Sequence, residues 1–315
     1  MRCARLSDRH TPDRMPHAVR SLALRLAAAS LVAAALPARA DTGKITLTGG
    51  VTSIDGAAGG GLTPWAVTGS NATEGEVGVA VTESVVSVRN YTMQVQGLLL
   101  SLDDRVEVSV ARQDVATEAT GRALGLPGLH LKMDVFGAKV RLLGDAVLDS
   151  DGWLPQVALG IEAKATDAGD LNGTLRALGA SAHGTDVYLS ATKLFLAQGI
   201  LVNGTLRLTK ANQNGLLGFG GTAQEKYRLE PEFSVAWLAS SRLALGAEYR
   251  RKPDNLNPSA LGAGLKEDDW WDLFAAWAPT KHLSLTAAYV QLGRIVPAVA
   301  TKRQDGGYAS AQVAF

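Results

Sequence analysis

From about residue 44 onward, apolar residues recur at every second position more often than at every third or fourth. That is the period of a β-strand with one apolar face. In Arg105–Gln113, the valines Val106, Val108 and Val110 face one way and Glu107, Ser109 and Gln113 the other. Val157–Lys164 sets Val157, Leu159, Ile161 and Ala163 against Ala158, Gly160, Glu162 and Lys164. Leu243–Arg250 repeats the scheme, as does Leu283–Ala287. Each segment has one apolar face and one face of small or charged residues. A soluble β-sandwich would alternate in the same way, so the connections have to discriminate. From residue 102 they alternate in length. Tight turns at 102–104, 197–199, 239–242 and 279–282 separate longer loops at 114–130, 167–183, 211–225, 253–267 and 295–305. Short turns at one end and long loops at the other predict an antiparallel transmembrane barrel with periplasmic turns and extracellular loops. A sandwich has no reason to keep that parity. The segment 144–154, with Asp145, Asp149, Asp151 and Trp153, breaks it.

Parity also bears on strand number. If Lys44–Thr48 forms a first strand and 306–315 the last, the barrel has about fourteen. If the glycine-rich stretch 49–62 folds into the lumen instead, it has twelve. The faces then assign residues. Glu107, Lys139, Arg141, Glu162, Lys164, Arg207, Glu232, Glu248 and Arg250 point into the lumen, because an Arg or Lys facing lipid at mid-bilayer costs about 2–4 kcal/mol. Trp237, Tyr249, Trp271, Trp277 and Tyr289 lie near strand ends, where interfacial aromatic girdles are expected, and Trp270 stands beside them. Gly307–Phe315 alternates and ends on Phe315, the pattern of an outer-membrane assembly signal, which implies the barrel-assembly machinery as a partner alongside outer-membrane lipid.

The first forty residues read as an address rather than as fold. Arg20 and Arg25 precede the apolar run Leu26–Leu36, and Ala38-Arg39-Ala40 supplies a small-x-small cleavage pattern. The run is shorter than the roughly 20 residues a spanning helix needs. The expectation is a signal peptide over residues 1–40, cleaved after Ala40, with Met1 or Met15 as the start. This changes the balance of charge. Residues 1–40 hold seven Arg and two Asp, leaving 24 of the 31 basic and 28 of the 30 acidic residues, a net charge of about −4. Such a chain is not expected to bind nucleic acid. The one cysteine, Cys3, falls in the same segment, so no disulfide or thiolate chemistry is expected beyond it.

Three stretches carry the most distinctive residues: Gly56–Trp65 (GAAGGGLTPW), Asp104–Asp114 and Val135–Asp145. With them the chain resembles the proteobacterial family catalogued as domain of unknown function 3034, from about Gly43 to Phe315. The resemblance implies an exported outer-membrane protein and implies no activity.

Candidate chemistry is sparse. His130, His183 and His282 are far apart and none sits in a metal-binding spacing, so no cofactor or metal is expected. Ser181 precedes His183 by two residues, which allows one face of an extended segment, but there is no G-x-S-x-G elbow for a hydrolase. The glycines at 56–61 and 215–221 lack the spacing of phosphate loops, and Asp145, Asp149 and Asp151 lack the glycine and glutamate of a calcium loop. No catalytic residue is assigned. Three functions follow, in this order: a passive pore for small polar solutes, suggested by the lumen charges; a closed barrel acting as a structural or interaction protein through the loops at 114–130, 167–183 and 253–267; and, a distant third, a lipid hydrolase using Ser181.

Overall fold

A computed structural model describes residues 43–147, 152–258 and 262–315. The expected signal peptide and the Asp149–Asp151 turn lie outside these residues. Twelve strands form one closed, antiparallel barrel. Two short strands, β1 (Val51–Thr52) and β2 (Ala58–Gly59), make a separate hairpin ahead of it. The barrel begins with β3 (Val77–Val88), β4 (Tyr91–Leu102), β5 (Val106–Ala116), β6 (His130–Leu143), β7 (Gln156–Asp167) and β8 (His183–Phe195). It continues through β9 (Ile200–Thr209), β10 (Arg228–Ser240), β11 (Leu243–Arg250), β12 (Trp270–Trp277), β13 (Leu283–Gln291) and β14 (Asp305–Ala314). Consecutive strands pair throughout, and β14 pairs with β3 from Gly306↔Val88 to Ala314↔Ala80, closing the ring. Full closure leaves no edge strand exposed.

The smaller strand number is the one found. Lys44–Thr48 forms no strand but runs into a turn, with Thr48 N–H donating to Ile45 O at 3.0 Å. The reason is the segment that follows it. Every residue from Val51 to Ser70 is buried, because this stretch runs inside the barrel. Short turns gather at one end, here the turn end, as the alternation of lengths predicted. Asn71 reaches that end too, its Nδ2 donating to Ala314 O at 3.0 Å. Two connections depart from parity. The β3–β4 hairpin at the loop end has only Arg89 and Asn90, and the β6–β7 connection at the turn end is long. Two loops carry helices that the sequence did not signal, α1 (Glu118–Ala123) and α2 (Asn172–Ala177).

Burial follows the alternation. On β4, Leu98, Leu100 and Leu102 are exposed on the outside, while Gly97, Leu99 and Ser101 are buried inside. On β5 the exposed positions are Val106, Val108 and Val110, and Glu107, Ser109 and Gln113 are buried. With β9 and β10 presenting Leu206, Leu208, Phe233 and Val235 outward, the exterior is apolar where a soluble protein's would be polar. A closed barrel leaves every strand's backbone groups paired, which is what a lipid environment demands. This is a bacterial outer-membrane barrel.

Candidate functional site

The lumen is filled by two segments of the chain itself. The first, residues 43–70, enters from the turn end and folds on β1 and β2, with Ser53 N–H bonded to Ala57 O and Trp65 N–H to Ala58 O. Glycine is required here by proximity. A Cβ on Gly59 would stand 1.9 Å from the Thr63 carbonyl oxygen, and Gly61 has φ of +122°. The backbone of this plug is read by side chains of the wall. Glu107 accepts from the amides of Ala58 (3.0 Å) and Gly69 (2.8 Å). Glu248 accepts from Leu62 N–H (2.7 Å), Thr63 N–H (3.2 Å) and the Thr63 hydroxyl (2.6 Å). Gln312 on the last strand accepts from Thr52 N–H at 2.7 Å, and Ser234 from the Trp65 indole at 2.9 Å. Lys139, paired with Glu107 at 3.0 Å, donates to the carbonyls of Ala58 and Trp65.

The second segment is the β9–β10 connection. After Thr209 it turns inward through a short 3-10 turn at Asn212–Gly215, in which Gln213 and Asn214 adopt left-handed φ of +46° and +60°. Gln213 N–H donates to Glu267 at 2.8 Å, and Lys252 donates to the Gln213 side chain at 2.6 Å. Lys252 also pairs with Glu267 at 3.1 Å and lies over the Trp270 ring at 4.4 Å. Burial pushes the Glu267 carboxyl up to about 7, while Lys252 pulls it back down. Nearby, hydrogen bonds from Arg294 hold the Asp268 carboxyl down at about 2.

The two segments meet at a cluster of buried charge. Asp55 of the plug pairs with Arg250 at 2.7 Å, with Lys164 at 3.4 Å and with Arg207 at 4.0 Å, and accepts from Asn214 Nδ2 at 2.7 Å. The wall partners also bind one another. Lys164 lies 2.9 Å from Asp186 and 3.2 Å from Glu162, while Arg207 lies 2.6 Å from Glu162 and 2.5 Å from Glu232. All of these side chains are almost fully buried. Charges in such a place need partners and hydrogen bonds to offset desolvation, and here each has at least one of opposite sign.

The nine lumen residues named from sequence therefore divide. Glu162, Lys164, Arg207, Glu232 and Arg250 form the central cluster. Glu107 and Lys139 form a separate pair that also bonds to the plug, Glu248 holds the plug through Leu62 and Thr63, and Arg141 sits part-exposed at the turn end, bonded to Asp104 at 2.7 Å. There, a cavity of about 460 Å³ lies among Lys44, Asp104, Arg141 and Gln156. Sequence reasoning missed Asp186, although Asp186, Tyr188, Ser190 and Thr192 alternate inward against Val187 and Leu189. It also missed Asp55 and Asn214, whose segments carry no period.

Trp237 and Trp277 project outward near the turn end and are half exposed, and Tyr289 is similarly exposed near the loop end. Trp271 packs against Tyr289 with ring centroids 5.8 Å apart, and the Tyr249 hydroxyl donates to Asp269 at 2.5 Å. Trp270, grouped with these from sequence, instead faces inward and is buried, because its neighbour Trp271 takes the outer face. Phe315 extends the pairing of β14 through reciprocal bonds with Val79, and its ring stacks on His282 at 5.0 Å. His130 lies on the outer face beside Asp114, at 2.5 Å. Ser181 Oγ accepts from the His183 backbone amide at 3.2 Å, and among the described residues no bond joins that hydroxyl to the His183 ring.

Comparison with known proteins places the chain. Its residues 48–312 match the family described as protein of unknown function DUF3034, and the chain belongs to that family. No curated protein matches it. Among solved structures it is similar to the NanC porin, at 8% identity and a TM-score of 0.46, over 76% of this chain and 98% of the porin. An outer-membrane channel from Pseudomonas putida F1 is similar at 12% identity and a TM-score of 0.45, over 78% and 96%. Outer membrane phospholipase A from Escherichia coli is similar at 9% identity and a TM-score of 0.40, over 76% and 92%. Likeness at this level assigns no function.

Proposed function

We propose that this member of the DUF3034 family is a closed barrel that serves the outer membrane as a structural or interaction protein rather than as an open pore. One observation carries the reading: the twenty residues from Val51 to Ser70 are buried in the lumen, with wall carboxylates accepting from their amides. Eight of the nine wall charges that suggested a pore from sequence are engaged with the plug or with one another, and Arg141 pairs with Asp104 at the turn end. Function then falls to the surfaces outside the lumen. The last strand, with Phe315 continuing its pairing onto Val79, is the part the barrel-assembly machinery would engage during insertion.

A gated pore is the second reading, and the charge balance favours it. Within the central cluster the wall alone carries Lys164, Arg207 and Arg250 against Glu162, Asp186 and Glu232, three of each sign. Withdrawing Asp55 would leave that cluster formally neutral. Single-channel recording in planar bilayers tests both readings. The intact protein should be silent, and a variant lacking residues 49–70 should conduct in steps. Stepwise conductance from the intact chain at low voltage would overturn the closed-barrel reading; openings confined to high voltage would favour the gate.

A further inference from the structure

We propose that the lumen holds a binding site for one sodium-sized monovalent cation, between the plug and the inner face of β12–β14, with Asp272 as its anionic ligand. Carboxylates facing the lumen are matched with bases almost everywhere. Asp55, Glu107, Glu162, Asp186, Glu232 and Glu267 each have a Lys or Arg nitrogen at 2.5–3.1 Å. Glu248 and Asp272 have no such partner among the described residues. They stand directly opposite each other, since the register of β11 and β12 pairs Glu248 with Asp272, and both are buried. Opposite side chains start about 4.5–5.5 Å apart at Cβ, and like charges placed there repel.

The bases that follow Glu248 in the chain are committed elsewhere. Arg250 pairs with Asp55 at 2.7 Å, and Lys252, over the Trp270 ring, pairs with Glu267 at 3.1 Å. Glu248 has both oxygens occupied, by Leu62 on one side and by Thr63 and Ser234 on the other. Asp272 does not. Its side chain is 7% exposed, and its Oδ1 accepts no hydrogen bond. It faces a cavity of about 30 Å³ bounded by Gly60, Gly61 and Leu62 of the plug and by Thr286 and Tyr308 of the wall. Trp270 lines the same cavity, and its buried indole N–H donates to no acceptor. Two polar atoms without partners therefore border one small space.

Charge, size and donor set choose the ligand. A carboxylate so deeply buried needs a counter-charge, and a second carboxylate opposite it increases the demand. The cavity takes one or two particles the size of a water molecule, each needing roughly 10–15 Å³, which leaves no room for a bulky organic cation. The oxygens on offer are the Asp272 carboxylate and the Thr286 and Tyr308 hydroxyls. These are too few for calcium, which takes about six to eight. The Trp270 N–H, a donor only, suits a water carried in with the ion. Because Gly60–Leu62 form one side of the cavity, the site exists only with the plug in place. The bound ion thus clasps the plug to β12. The inference rests on the occupied lumen, not on what the closed barrel does outside it.

The test measures hydrogen exchange of the protein purified from outer membranes in a zwitterionic detergent. At pH 8, sodium chloride is compared with N-methyl-D-glucamine chloride of equal ionic strength, whose cation is too large for the cavity. Sodium at about ten times its dissociation constant should raise the protection of amides 60–63 about elevenfold, and saturably, because it binds only the plugged state. Protection of amides 211–217 should not change. Asp272→Asn removes the charge at nearly constant volume and should protect the plug equally in both salts, with heat-modifiable mobility on gels showing the barrel folded. Equal protection of the unaltered protein in the two salts would overturn the proposal, and a gain on acidification to pH 5 would then assign the neutralising role to a proton. A sodium response that survives Asp272→Asn would overturn it as well. Conductance, which tests the closed barrel, is a separate measurement and does not decide this one.

Discussion

The plug and the β9–β10 loop fill the same lumen by opposite means. The plug presents its backbone, and side chains of the wall bond to it: Glu107, Glu248, Gln312 and Thr192 all accept from its amides. The loop mostly presents side chains, with Gln213 and Asn214 turned inward by left-handed backbone to meet Lys252, Arg250 and Asp55. The plug therefore needs small residues and close approach, whereas the loop needs particular amides at particular positions. Damage to the plug should come through mutations in the wall or at its one acidic residue, Asp55. Damage to the loop should come from its own residues.

Three outcomes sharpen that contrast. Asp55→Ala should have the largest effect, about 3 kcal/mol, at the low end for a broken buried ion pair because the wall cluster stays balanced without it. Hydrogen exchange should show faster exchange across amides 51–70. If protection of those amides is unchanged, Asp55 does not anchor the plug. Asn214→Ala should cost less, about 2 kcal/mol for bonds to charged groups, and its loss of protection should centre on 211–219. The smallest effect is a pH dependence confined to the loop. Glu267 has its carboxyl raised from 4.5 to about 7, so its contribution is full below about pH 4.5 and is lost as pH rises through 7. Amides 211–217 should be better protected at pH 5 than at pH 8, and Glu267→Gln should flatten the profile. A profile unchanged by that substitution would assign the effect elsewhere.

The barrel was legible because each wall strand obeys one rule along its length. Val106, Val108 and Val110, or Leu243 and Leu245, must meet the apolar surroundings, so the period of two is written into the side chains. The parity of the connections then supplied topology. The plug escaped for the same physical reason. It is held through main-chain amides, and a main-chain bond leaves no mark on residue type beyond the demand for glycine at places such as Gly59 and Gly61. The glycine-rich run was visible, and lumen filling stood as the twelve-strand alternative, but Asp55 within it had no pattern to set it apart. Asp186 was readable by alternation, since it shares a face with Tyr188 and Ser190. Arg112 stands on the valine face of its own strand, where the lumen rule for charges would not have placed it.

The bond from Thr52 to Gln312 joins residues 260 positions apart. Gln312 lies on the strand whose pairing with β3 closes the ring, so this contact cannot form with its final geometry until the last strand has docked. Other plug bonds draw on β5, β8, β10 and β11, distributed around the circumference. Contacts of such long sequence separation are late and slow to form. The first part of the folded chain to leave the export pathway is thus the last to reach its place, and an occupied lumen is a record that the cylinder was completed around it.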